Sequence, residues 1–247
     1  GKLLELLGIE RVDGKPRLLS VHEHNELERI DEVIRALGAG QHVVLASDAG
    51  TPTISDPGYQ VVRAATDRGY AVEALPGPSA VVTALSGAGL PTDRFFFEGF
   101  LPAKSKARQE RLEKVGELGV TVVCYESPHR TTDALSDICD VLGEYRRVVV
   151  ARELTKMHEE FVRGTAREVL EDLDAREEVH GEVVLLIGPP DEDAGERDVD
   201  ALVDAKIQEL LDDGMRPRGI KEVVSELYDV PRSSLYDRIQ RIKEQGE

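Results

Sequence analysis

Five short segments concentrate the side chains able to hold a ligand or move a proton. The first reads Ser20-Val21-His22-Glu23-His24-Asn25-Glu26. Two imidazoles two positions apart fall on one face of an extended chain. With Glu23 or Glu26 beside them they suit acid–base work or metal binding, and the alternative is a helix cap with Asn25 at the cap. A metal needs a third ligand that the sequence does not supply, so no metal site is expected. The second segment, Ser47-Asp48-Ala49-Gly50-Thr51-Pro52-Thr53-Ile54-Ser55-Asp56-Pro57-Gly58, joins small residues that let a ligand near the backbone to two stiffening prolines. It exceeds the roughly two to six residues usual between a strand and a helix, which points to binding rather than a plain connection. The third, Leu75-Pro76-Gly77-Pro78-Ser79-Ala80, presents the amides of Ser79 and Ala80 at a helix start; alone it is equally a turn and a cap. The last two, 125–130 and 152–160, set Glu126, Arg130, Arg152 and Lys156 at strand ends. Arginine and lysine there suit phosphate, and the plainer reading is a solvated charge cluster.

These residues need elements to hold them. Apolar residues at helical spacing predict helices over 26–37, 58–67, 79–86, 106–118, 131–142 and 165–173. Short apolar runs predict strands at 42–46, 70–74, 94–97, 120–125, 147–151, 161–163 and 182–187. The alternation argues for an α/β fold. Two lobes are expected, 1–92 and 93–188, then an acidic linker over 189–199 and a helix-turn-helix-like module over 200–247.

The chain has 247 residues and a net charge of −17. No apolar run approaches the roughly 18 residues of a membrane span, and two cysteines make no disulfide framework, so a reducing cytoplasm is the default. The acidity is uneven. Residues 191–213 carry ten acidic side chains against two basic ones, whereas 102–114 holds Lys104, Lys106, Arg108, Arg111 and Lys114. The second run is therefore a surface for phosphates despite the overall charge. No Walker lysine loop, no G-x-G-x-x-G and no G-x-S-x-G is present, which argues against an ATPase, an ordinary dinucleotide oxidoreductase and an α/β-hydrolase.

Taken in order, the segments at 22–26, 47–52, 75–79, 95–101, 125–130, 151–156 and 181–187 resemble the ribosomal RNA small-subunit methyltransferase I family of the tetrapyrrole methylase superfamily. The resemblance implies a two-lobed class III methyltransferase fold, usually a homodimer. It implies S-adenosylmethionine in the cleft and 2′-O-methylation of a decoding-region cytidine of 16S rRNA in the 30S subunit. By motif position, Asp48, Ala49, Thr51, Ser79, Ala80, Glu126 and Ser127 line the donor cleft. Glu23, His24 and Glu126 are the candidate bases. Lys104, Lys106, Arg108, Arg130, Arg152 and Lys156 are the candidate RNA contacts. The sequence departs from the family's pattern at its start: the opening strand with its Thr-Pro-Ile-Gly-Asn-Leu turn and the following Glu-Asp-Thr-Arg strand end are not found in it. A first sheet with an exposed strand edge is expected on that ground. The competing readings are a methylase of tetrapyrrole-like macrocycles on the same fold and a ligand-sensing regulator whose tail binds duplex DNA.

Overall fold

A computed structural model of the chain describes residues 5–9, 16–22, 24–190, 194–212, 214–228 and 230–245. Its centre is one five-stranded sheet. The strands are β1 (Phe95–Phe100), β2 (Thr121–Glu126), β3 (Arg147–Arg152), β4 (Glu160–Thr165) and β5 (Val183–Ile187), in the order β1-β2-β5-β3-β4. Only β1 and β2 run parallel; the other three pairings are antiparallel. The middle strand reads Val-Val-Leu-Leu-Ile and every residue of it is buried, because both of its faces are covered.

Alternation along the strands divides the core in two. Val122, Cys124, Val148, Val150, Leu185 and Ile187 point to one face. There they meet Leu112 and Val115 of α4 (Ser105–Gly116), Leu135 and Ile138 of α5 (Thr131–Leu142), and Val169 and Leu173 of α6 (Ala166–Asp174). α6 opens with a capping box in which Thr165 and Glu168 exchange side-chain and backbone hydrogen bonds. Val123, Val149, Ala151, Val184 and Leu186 point to the opposite face, which is covered by Val81, Ala84, Leu85 and Ala88 of α3 (Ala80–Ala88). A helix from the expected first lobe is thus the lid of the second lobe's sheet.

The first part differs from expectation. α1 (Glu26–Gly38) and α2 (Tyr59–Asp67) form and pack together. The predicted strands at 42–46 and 70–74 join no sheet among the described residues. A strand is completed by its neighbour's backbone groups, and among the described residues neither segment has one. Several of their apolar side chains stay in solvent, with Val44 84% and Val72 49% exposed.

The C-terminal module is three helices, α7 (Ala194–Asp212), α8 (Pro217–Tyr228) and α9 (Leu235–Gln245), around a core of Val203, Ile207, Ile220, Val224, Leu235 and Ile239. α7 starts at Ala194, inside the stretch expected to be a linker. The Pro-, Gly- and acid-rich composition that suggested a linker therefore extends into a helix. No helix among the described residues is long and apolar enough to cross a membrane.

Candidate active site

The two corners of the first part are tied together. Thr51 Oγ1 donates to the carbonyl of Pro78 at 2.7 Å, across 27 positions of chain. Asp48, Ala49 and Thr51 are exposed on one side of this junction, and Ser79 and Ala80 are half-buried on the other. Ser79 is the N-cap of α3, in extended conformation, but its hydroxyl makes no capping bond. The opening N–H groups of that helix are left without a side-chain acceptor where an acceptor on a ligand would arrive. In the 47–58 loop, Thr53 and Ser55 sit at φ +73° and +52°. Non-glycine residues there carry about 1–3 kcal/mol of strain each, and such strain gathers at ligand sites.

The histidine segment docks at the exit of that loop. Asn25 Oδ1 accepts from the His22 amide at 2.8 Å, and its amide nitrogen donates to Ser20 O. Glu26 reaches further: its Oε1 accepts from the backbone N–H of Gly58 (3.1 Å) and Gln60 (2.6 Å), at the start of α2. A carboxylate at a helix N-terminus satisfies orphan donors and complements the dipole. Gly58 itself has φ +122°, and a Cβ there would lie 2.6 Å from Leu45, so this approach needs glycine. His22 and His24 are exposed, with rings edge to face at 6.1 Å. Glu23 lies outside the described residues. No group of three or more metal-ligating side chains is assembled among the described residues.

Glu126, expected as a base or donor contact, is placed otherwise. Its side chain is fully buried at the end of β2. One oxygen accepts from the Ser127 amide at 2.8 Å and the other from Arg130 Nη2 at 3.1 Å. Burial raises its pKa, opposed by the Ser127 N–H and by Arg130 and Arg108. A carboxylate with no exposed surface and both oxygens engaged does not reach a substrate hydroxyl; it positions the turn that carries Ser127. Arg130 also donates to the carbonyl of Leu101 at 2.7 Å, so the same pair fixes the chain leaving β1.

The expected RNA contacts divide. Lys104 and Lys106 are exposed. Arg108 is 3% exposed and is not an RNA contact: its Nε pairs with Asp137 Oδ2 at 2.6 Å inside the α4–α5 interface. The physical reason is the helix period, which puts 108, 112 and 115 on one stripe with Leu112 and Val115. Asp137, which the sequence did not single out, also accepts from Ser105 Oγ (2.8 Å) and Gln109 Nε2 (2.7 Å). Arg130, Arg152 and Lys156 are each engaged inside the protein. Arg152 holds Glu160 and the His180 carbonyl; Lys156 holds Glu153 and Glu182. Glu153 and Thr155 have φ +51° and +64°, so the 152–160 loop is the second place where backbone strain collects. Its Glu153 carboxylate accepts from the Glu182 amide at 2.9 Å, and the Glu153 side chain fills the space a Cβ on Gly181 would occupy.

Comparison with known proteins gives a consistent result. Residues 2–170 match the family profile described as Tetrapyrrole (Corrin/Porphyrin) Methylases. The chain is 41% identical over 240 residues to a ribosomal RNA small subunit methyltransferase I of Escherichia coli O157:H7, covering 96% of this chain and 80% of that one. It is 41% identical over 238 residues to the protein of the same name from Haemophilus influenzae, covering 96% and 82%. Among solved structures, a diphthine synthase superposes with TM-score 0.56 at 15% identity, over 75% of this chain and 72% of that one. That likeness concerns the fold alone.

Proposed function

The chain belongs to the ribosomal RNA small subunit methyltransferase I family within the tetrapyrrole methylases, and on that premise we propose that it methylates a ribose 2′-hydroxyl of a decoding-region cytidine in 16S rRNA, in the cytoplasm, using S-adenosylmethionine. When bound, the donor supplies a methyl group already activated on a sulfonium. The observation that carries the reading is the Thr51–Pro78 bond, which brings two ligand-approachable corners into one wall.

The residues present fit such a donor. The exposed backbone at 48–51 admits a flat, polar molecule closely, Asp48 offers an acceptor for its hydroxyl or ammonium groups, and the N-terminus of α3 offers N–H donors to its carboxylate. Ser127, whose amide is held by Glu126 at the β2 end, is assigned to the donor's other side. Once an acceptor hydroxyl and a methyl group are held in line, positioning supplies much of the rate. A base that takes the hydroxyl proton adds to it. Of the side chains expected in that role, exposed His24 is the one we assign, on a segment anchored by Asn25 and Glu26. Lys104 and Lys106 neutralise phosphates of the RNA and set its register without reading sequence.

The test is transfer of labelled methyl from S-adenosylmethionine to 30S subunits lacking the modification, followed by nuclease digestion. The expected product is 2′-O-methylcytidine. Labelling of a tetrapyrrole macrocycle instead, or a tight complex with duplex DNA and no transfer, overturns the reading. His24→Ala is expected to slow single-turnover transfer by a factor of roughly 10²–10⁴; an unchanged rate removes His24 from that role.

A further inference from the structure

β1 holds a feature that the donor site does not use. Its ladder with β2 shifts register between Phe97 and Gly99: Phe97 pairs with Val123, but Gly99 pairs with Cys124 and Phe100 with Tyr125. An extra residue is therefore inserted at Glu98, and Gly99 takes φ +78°. A bulge of this kind re-aims the side chains that follow it. In a regular strand Phe97 and Phe100, three apart, would point to opposite faces. Here both lie against the Tyr125 ring, at 5.1 and 5.6 Å between centroids. Glu98 goes to the other face, where it makes a two-pronged pair with Arg111 at 2.6 Å.

The bulge thus turns Phe100 onto the face that carries α3 and the two corners. The 47–58 loop passes there, with Ser55 Oγ 3.4 Å from where a Cβ on Gly99 would stand. Phe97 and Tyr125 are half-buried in that core, but Phe100 is 56% exposed at its rim. Packing does not account for a backbone irregularity that leaves an aromatic ring in solvent. The chain beyond Phe100 is fixed by the Arg130–Leu101 bond and leads within six residues to exposed Lys104 and Lys106. An exposed ring backed by Tyr125, on a chain that continues into two cations, matches the chemistry of an unpaired nucleotide: a π-face for the base and positive charge for its phosphates.

We propose that Phe100, with Tyr125 behind it, is the platform on which an unstacked base of the substrate RNA lies, at or next to the methyl acceptor. This deepens the methyltransferase reading and rests on it for the identity of the RNA. It makes Phe100 a residue that binds substrate rather than donor. Stacking on a ring is worth enough per base that Phe100→Ala should weaken the interaction roughly tenfold, while Phe100→Trp, with a larger π-face, should retain it. Phe100→Leu, apolar but without a π-face, should behave like alanine.

The experiment has three arms, using the full chain. In single-turnover transfer, the concentration of 30S subunits giving half-maximal rate should rise about tenfold for the Ala and Leu variants and stay near wild type for Trp. In fluorescence anisotropy with a labelled single-stranded RNA oligonucleotide, the same ranking should appear. In calorimetry, S-adenosylmethionine should bind all three variants as it binds wild type, and thermal unfolding should be nearly unchanged because the ring is largely exposed. Wild-type subunit dependence and RNA binding in Phe100→Ala overturn the proposal. So does a selective loss of donor binding, which would make the ring a donor contact. A wild-type chain that transfers no methyl to subunits sinks the methyltransferase reading; the anisotropy ranking then still decides the platform.

Discussion

Residues 42–46, His-Val-Val-Leu-Ala, and 147–151, Arg-Val-Val-Val-Ala, are near copies in pattern, yet they end in different states. The second is β3, hydrogen-bonded on both sides, with Val148, Val149 and Val150 at most 2% exposed. The first joins no ladder among the described residues, and Val43 and Val44 are 43% and 84% exposed. An apolar β-branched run states what a segment can become; the neighbouring backbone decides whether it does. The same division runs through the whole molecule. The part from 95 to 187 is a sheet covered on both faces. Before residue 80 the described residues form two packed helices and long connections held by a few side-chain bonds, and these connections carry the proposed donor corners.

The widest consequence concerns backbone opening. Amides of 148–150 should exchange with solvent only through global unfolding, at a free energy of about 5–15 kcal/mol, whereas those of 42–46 and 71–74 should exchange near the unprotected limit. Hydrogen exchange followed by mass spectrometry measures both in one sample. Equal protection of the two segments would erase the contrast.

Next in size is the buried ion pair of the sheet's outer layer. Asp137→Ala strands the Arg108 guanidinium between α4 and α5, where both side chains are under a tenth exposed. Leaving one charge of a buried pair uncompensated costs about 3–5 kcal/mol. Urea unfolding should show this loss at the midpoint; a change under about 1 kcal/mol would mean that Arg108 finds water instead.

A smaller effect belongs to the sheet edge. Glu160 accepts hydrogen bonds from Arg176 and Arg152, which hold its carboxyl at about 2. A depressed carboxylate contributes stability that is present above its unfolded pKa, near 4.3, and is lost as pH falls toward the folded value. Wild type should therefore lose stability relative to Glu160→Gln between about pH 4.5 and 2, with no relative change above pH 6. Parallel curves across the acid range would remove Glu160 from the acid response.

Much of this was open to sequence reasoning, and the remainder failed for identifiable causes. The helix at 131–142 and the strands of the second part were legible because their apolar periods continue through their full length. The bulge at Gly99 was readable in principle, since an isolated glycine in a strand pattern marks such a site. Arg108 was misread because charge was weighed before helical phase; its place on the Leu112–Val115 stripe was visible in the sequence. The Glu26 tie to Gly58 and Gln60 and the docking of α3 on the sheet were not legible, because both join positions far apart in the chain through geometry that no local pattern encodes. At the candidate site, segment reading found the corners but not the burial of Glu126, since the length of β2 decides whether its last side chain faces solvent or core.

The smallest change in stability is expected to have the clearest effect on ligand binding. Thr51→Val keeps the β-branched shape and deletes only the hydroxyl that joins the two corners. A partly exposed neutral hydrogen bond contributes about 0.5–1.5 kcal/mol at most, so unfolding should barely register the change. The corners, however, have little else to align them: residues 71–78 are exposed throughout, and among the described residues no ladder spans the gap. Loss of that alignment should weaken S-adenosylmethionine binding about tenfold by calorimetry, since each 1.4 kcal/mol is a decade of affinity. The matched control is Ser105→Ala. Its hydroxyl is one of three groups on Asp137, so its loss leaves the carboxylate still held by Arg108 and Gln109. Donor affinity should be unchanged there. If Thr51→Val also binds the donor as wild type does, the junction is not part of the binding wall, and the comparison between a redundant half and a singly tied half loses its functional meaning.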